Sequence, residues 1–296
     1  MNIFVTGTTT TPTQGSIDCS SGCEFQLTVN QSWSQEPAGY LRTAEVKVPA
    51  TSTKLPVVID LHGSGGNAKT KRMGKFLTKS VIVAAQGYSN QWNIVKEKTK
   101  APDVEFMEKL IGEIAQIQQA DMDDVTFVGT SNGAGMISRM LIEMDNPKSF
   151  IKRVIPMVSH LTTNQYHDDS FWMPSNDDNG EVNNFDLKVV PDSPAPEIIY
   201  FHGTEDKTIP YWGGKSLGLT FLGSQETTYA YAKAFGYTGA QIADSDGEVV
   251  QTGITKYEYN GDSRVVHYKM DGMSHNAFDP LCSDFVENFL KTTIEG

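Results

Sequence analysis

The chain has 296 residues, of which 39 % are hydrophobic, 20 % charged and 10 % aromatic, a composition that builds a sizeable core and argues against disorder. A formal net charge of −12, with no run of Lys and Arg, argues against nucleic acid as a partner, because a phosphate backbone is bound by clustered cations. No apolar stretch approaches the roughly 18 to 20 residues that cross a bilayer, so no membrane partner is expected.

Residues 1–16, MNIFVTGTTTTPTQGS, are dominated by Thr, Gly and Pro and read as a flexible tail outside the fold. They lack a basic region followed by an apolar one, so no signal peptide is expected in them. Cys19 and Cys23 follow in a Ser/Gly-rich segment. They would either close a small disulfide loop in an oxidising compartment or remain two ordinary thiols. A bridge there points to a secreted or periplasmic protein. No second Cys or His pair follows at ligand spacing, so no zinc site is expected.

From residue 44 onward, apolar runs of strand length alternate with helical patterns. The predicted strands are 44–48, 56–62, 80–85, 124–129, 153–159, 197–203 and 263–270. Most are continuous apolar runs, as expected where both faces of a sheet are covered. Between them, Asp103 to Gln119 sets Phe106, Met107, Leu110, Ile111, Ile114 and Ile117 on one stripe, with Pro102 at the natural first helical position. Asn132 to Met144, Thr227 to Phe235 and Asp279 to Thr292 read as further helices. In the last of these Cys282 lies among Leu281, Phe285, Val286, Phe289 and Leu290 and reads as a buried thiol. The pattern specifies an α/β fold, a mostly parallel central sheet covered by helices on both faces, as one domain over 17–296.

Two stretches break the rhythm. Residues 160–196 are rich in Asp, Asn and Pro without periodicity, and are a candidate cap bordering the active-site mouth, with Tyr166, Phe171, Trp172 and Met173 as its apolar residues. ADSDGEVVQTG, 243–253, reads as a turn or hairpin whose acidic residues form a solvated face rather than a calcium site.

The segment VGTSNGAGM, 128–136, carries the chemistry. A strand, DVTFV, runs into a helix, NGAGMISRML, so Ser131 of the G-x-S-x-G pattern falls on a sharp strand-to-helix turn, a nucleophile elbow. Its backbone must then be strained and held by the core. A side chain at Gly129 or Gly133 would collide with the other or with the neighbouring strand. The amide of Asn132 lies at the helix start, where the dipole favours negative charge. In PVVIDLHGSGGNA the amide of Ser64 or Gly65 would join it as a second oxyanion donor. The serine needs a base, and the candidates are His62, His160, His167, His202, His267 and His275.

LHGSGGNA, the Trp92–Asn93 pair in NQWN, APDVEFMEKLI, VGTSNGAGM and above all HGTEDKTIPYWGG together resemble the polyhydroxybutyrate depolymerases and related feruloyl-esterase-like enzymes of the α/β-hydrolase superfamily. The resemblance spans residues 40–292 and implies the α/β-hydrolase fold, with nucleophile, acid and histidine in that chain order and the histidine after the last strand. Only His267 and His275 come that late. His267 lies within a strand, so the loop residue His275 is the expected base. The acid should follow the preceding strand, EIIYFHG, where Glu205 and Asp206 stand; Asp206 is favoured. The resemblance thus makes Ser131, Asp206 and His275 the triad and sets Trp92 on the substrate pocket, with His62, Trp172 and Trp212 as further substrate-binding candidates. Family members often have Cys at the position of Ser64, and Trp-Pro where this chain has Asn276, Ala277 and Phe278. No metal or cofactor is called for. The expected activity is that of a serine carboxylesterase on short-acyl, hydroxyacyl or aromatic esters, its partner a small-molecule or oligomeric ester. A prolyl-oligopeptidase-like serine peptidase and a non-catalytic hydrolase-fold binding protein are the alternatives.

Overall fold

The structure, a computed structural model, describes residues 16–175 and 184–296. The expected tail falls, but for Ser16, outside the described residues, as do residues 176–183 of the expected cap.

The strands are β1 (Cys23–Trp33), β2 (Glu36–Val48), β3 (Leu55–Leu61), β4 (Val81–Ala85), β5 (Ala120–Thr130), β6 (Arg153–Met157), β7 (Tyr166–His167), β8 (Ser170–Met173), β9 (Leu187–Val189), β10 (Glu197–Gly203), β11 (Gly214–Ser216), β12 (Leu219–Phe221), β13 (Glu248–Gln251), β14 (Ile254–Asn260) and β15 (Arg264–Met270). The α-helices are α1 (Lys71–Gly74), α2 (Asp103–Ile114), α3 (Asn132–Glu143), α4 (Ser224–Ala234) and α5 (Ser283–Glu295). Ten strands form one sheet in the order β1-β2-β4-β3-β5-β6-β10-β15-β14-β13. Its six central strands are parallel, and antiparallel pairs close both edges.

Alternation within the central strands builds two cores, because successive side chains point to opposite faces. Val57, Ile59 and Leu61 of β3 join the core under α2, α3 and α4, while Val58 joins the one under α1 and α5, with Val286, Leu290 and Ile294. Every strand expected from the sequence lies in this sheet. The sheet adds β1, the first half of β2 and a hairpin made by β13 and β14. Helix α2 stops at Ile114, short of the expected Gln119. There the chain turns, and Ile117 forms a bridge with Ile17. Cys282 is a buried free thiol, and Cys19 and Cys23 are bridged.

The segment 160–196 is not without structure: β7, β8 and β9 form a small antiparallel sheet. Phe171 anchors it beside the ring of Tyr231 on α4, with centroids 5.3 Å apart. Tyr166 in turn packs edge-on against Phe171, with centroids 4.8 Å apart. No described helix is long and apolar enough to cross a membrane.

Candidate active site

Strand β5 delivers Ser131 to the start of α3 with φ 53° and ψ −115°, a conformation that a non-glycine residue holds only under compulsion. The compulsion comes from close packing on both sides. The Ser131 amide donates to Met157 O at 2.9 Å, tying the turn to β6. A β-carbon on Gly129 would lie 2.5 Å from Gly133 O, and one on Gly133 would lie 2.2 Å from Leu61 O. Only glycine lets strand and helix meet this closely.

The structure brings the three expected residues together. Ser131 Oγ lies 2.9 Å from Nε2 of His275, and Nδ1 of His275 lies 2.7 Å from Oδ2 of Asp206. Asp206 Oδ1 accepts the amides of Thr208 and Ile209, each at 2.9 Å, so the turn after β10 fixes the carboxylate. Burial opposes ionisation of Asp206, but hydrogen bonds from His202, His275 and the Ile209 amide outweigh it and hold the carboxyl well below the usual range. Glu205 is placed elsewhere, in a surface depression with Lys207, Thr208, Ser274 and His275.

The oxyanion candidates separate. Gly63 packs against the serine: a β-carbon on it would lie 3.5 Å from Ser131 Cβ, which brings the loop after β3 to the elbow. The amide of Gly65 is already spent, donating to Asn90 O at 2.8 Å, so it cannot serve an oxyanion. Among the described residues the amides of Ser64 and Asn132 have no protein acceptor, and both residues line the same cavity as Ser131. The side chain of Asn132 is a brace. Its Oδ1 accepts from the Trp92 amide at 2.7 Å, and its Nδ2 donates to Trp92 O at 3.1 Å and to Glu97 Oε1 at 3.4 Å.

That cavity has a volume of about 470 Å³ and an apolar wall of Ile94, Ile209, Leu217, Leu219 and Phe221, with His160 and Thr162 beside it and Lys96 and Lys98 at its border. Three of the wall residues come from the hairpin of β11 and β12, whose tip holds Leu217 at φ 50° and Gly218 at φ 72°.

None of the four expected substrate-binding residues lines it. Trp92 is fully buried and donates from Nε1 to His62 O at 2.9 Å, so it supports the oxyanion loop from behind. His62 is committed on both ring nitrogens, with Nδ1 donating to Gly63 O at 2.7 Å and Nε2 accepting from the Gly87 amide at 3.0 Å. Trp172 stacks on His167 with centroids 4.7 Å apart, held within the small sheet. Trp212 is 66 % exposed and rests edge-on against Tyr211. Of the other histidines, His267 is buried in β15 with Tyr211 Oη 2.8 Å from its Nε2, as expected of a structural residue. No group of three or more His, Cys, Asp or Glu among the described residues is arranged to hold a metal.

No protein-family model matches the sequence, and neither does any curated protein. Solved structures do. An acetyl xylan esterase from Aspergillus awamori is similar at a TM-score of 0.54 and 17% identity, over 85% of this chain and 94% of that one. Thermogutta terrifontis esterase 2 is similar at 0.53 and 13%, over 90% of this chain and 94% of that one. The Pyrococcus horikoshii acylaminoacyl peptidase is similar at 0.54 and 15%, over 92% of this chain but 41% of that one. The chain has the α/β-hydrolase fold. At these identities the likeness establishes the fold alone. In this hydrolase fold the elbow stands at the C-terminal edge of the central strand β5, where loops from β3, β6, β10 and β15 converge on it.

Proposed function

We propose that the protein is a serine carboxylesterase. The observation that carries this reading is the continuous hydrogen-bond chain Ser131–His275–Asp206, set at a strained elbow on the edge of an apolar cavity. His275 Nε2 takes the proton as Ser131 Oγ attacks the ester carbonyl, and Asp206 holds the Nδ1–H tautomer and stabilises the imidazolium that forms. The amides of Ser64 and Asn132 receive the developing oxyanion, where a preorganised donor acts without reorganising. Collapse of the tetrahedral intermediate expels the alcohol with the proton held by His275. Water then releases the acid by the reverse sequence.

The substrates are short-acyl, hydroxyacyl or aromatic esters. The motifs shared with polyhydroxybutyrate depolymerases and feruloyl-esterase-like enzymes support this range, as does a cavity walled by Ile94, Ile209, Leu217, Leu219 and Phe221. The Cys19–Cys23 bridge supports a secreted or periplasmic setting. Labelling by a fluorophosphonate, lost in Ser131→Ala, tests the nucleophile and separates the esterase from a non-catalytic binding protein. A screen of p-nitrophenyl acyl esters, methyl ferulate, acetylated xylan, hydroxybutyrate oligomers and acylated peptides tests the bond. Turnover of the peptides with no turnover of any ester would overturn the esterase reading in favour of a peptidase.

A further inference from the structure

The proposed chemistry uses one of the six histidines. His202, four residues before Asp206 at the end of β10, is fully buried and lies against the same carboxylate. Its Nε2 is 3.0 Å from Asp206 Oδ2 and 3.0 Å from the carbonyl oxygen of Ile209. Both neighbours only accept, so Nε2 must carry the hydrogen. Nδ1 is buried and has no partner among the described residues, so a proton added there would be an unpaired buried donor. The ring is therefore a neutral Nε2–H tautomer. Burial lowers its pKa against the pull of Asp206, in keeping with that assignment.

The groups around His202 agree. The ring of His160, from the loop after β6, stacks on it with centroids 4.0 Å apart, and His160 has its own Nε2 3.2 Å from Pro210 O and Nδ1 3.2 Å from Ser224 Oγ. The ring of Tyr211 stands edge-on to it with centroids 5.9 Å apart. On β15, Lys269 stands at the register position opposite His202 with its ammonium held by Asp244, and His267 lies two residues before it. His275 meets the same carboxylate oxygen, with its Nδ1 2.7 Å from Asp206 Oδ2. Among the described residues no carboxylate other than Asp206 approaches the ring closely enough to pair with it.

We propose that His202 is a positioning residue for the triad: its Nε2–H and the Nδ1–H of His275 converge on one oxygen, Asp206 Oδ2, while two backbone amides hold the other. Three donors thus fix the carboxylate independently of His275, which always meets the same oxygen in the same orientation. The shared oxygen also has part of its charge drawn off. Loss of the His202 donor concentrates charge on Oδ2 and loosens the carboxylate. This inference rests on the triad assignment.

The test compares His202→Phe, which keeps an aromatic ring against His160 and cannot donate, with His202→Gln, whose amide reaches the place of Nε2. In the Phe variant kcat should fall about tenfold with KM nearly unchanged, as expected when one hydrogen bond to a charged group is lost. The acid limb of the kcat/KM profile should move to higher pH, because a more negative Asp206 favours imidazolium. The Gln variant should restore most of kcat and return the limb. A folded Phe variant with lowered Tm, wild-type kcat and an unmoved limb would overturn the proposal. Nitrogen-15 spectra of imidazole-labelled wild type test it without relying on a variant: His202 should report neutral Nε2–H throughout the active pH range, and an Nδ1–H or doubly protonated ring would overturn it. Failure of the fluorophosphonate to label wild type would instead remove the esterase reading, and the tautomer measurement would stand apart from that result.

Discussion

Gly133 and the Leu61 carbonyl are in such close register that a β-carbon on the glycine would lie 2.2 Å from that oxygen, so α3 rests directly on the end of β3. A substitution there collides with backbone, which cannot swing aside. Gly133→Ala should destabilise the fold by about 3 kcal/mol or more, at the upper end of overpacking costs. At Gly135 the added carbon would meet Ile94 Cδ1 at 2.4 Å, the far end of a side chain in the cavity wall. Gly135→Ala should fold and narrow the acyl preference. Thermal melts and a chain-length series on both variants check the contrast, and equal melting temperatures would contradict it.

Ser131→Ala removes the nucleophile without adding bulk at the elbow. Turnover should fall by several orders of magnitude while the melting temperature stays the same or rises, since alanine keeps the backbone and loses only a hydroxyl. Circular dichroism with single-turnover kinetics reads both effects.

Asp206→Asn should cost on the order of 10³- to 10⁴-fold in kcat, because an amide cannot hold the Nδ1–H tautomer of His275 with its charge. Glu205→Gln, off the triad, should cost little. The same carboxylate has a stability signature. Its folded pKa lies below its unfolded value, so its contribution is complete above the ordinary Asp pKa of about 3.9 and is lost as pH falls toward the folded value. The stability gap between wild type and Asp206→Asn should therefore shrink below about pH 4. Denaturant melts at neutral and acidic pH measure it.

Leu217→Ala and Phe221→Ala should redistribute kcat/KM among acyl chains, since a truncated apolar contact is worth about 1 to 3 kcal/mol of discrimination. Trp172→Ala should lower stability and leave that distribution alone, because its ring stacks on His167 away from the cavity. A shifted chain-length profile in the Trp172 variant would put the small sheet back at the mouth.

Reduction of the unfolded protein should add one hydrogen at each sulfur of Cys19 and Cys23, seen by intact mass against an unreduced control. The loop is short, so its loss should lower stability only modestly. An unchanged mass would remove the bridge and, with it, the support for an oxidising compartment.

The central strands and the elbow were legible because a strand covered on both faces reads as an unbroken apolar run, and Gly129, Ser131 and Gly133 mark the turn within three positions of a predicted helix. Strand β1 was hidden for a local reason. Its buried face alternates Leu27, Val29, Gln31 and Trp33, and Gln31 is polar because its side chain accepts from Arg42, itself paired with Asp103. The cavity wall was out of reach. Leu217 lies 86 residues beyond Ser131 in the chain and lines the site only because a hairpin folds back to the sheet edge. Trp92 of the NQWN motif and Trp172 of the expected cap do not line the cavity, because their ring hydrogens and faces are engaged by neighbouring main chain and by His167. The role of His202 could be glimpsed only in its spacing, i and i+4 from Asp206, which in a strand and turn says nothing about contact.

The brace made by Asn132 joins two things that are separate in sequence. In the proposed mechanism its amide receives the oxyanion, and its side chain grips the main chain of Trp92 and reaches Glu97, whose carboxylate in turn accepts the amides of Ile94, Val95 and Lys96. Ile94 is part of the cavity's apolar wall. If the proposed esterase seats its acyl group on that wall, the group presses on the loop that aims the proposed donor, and goodness of fit should be felt at the reacting oxygen. Selectivity in such a site is paid out in turnover rather than in ground-state affinity.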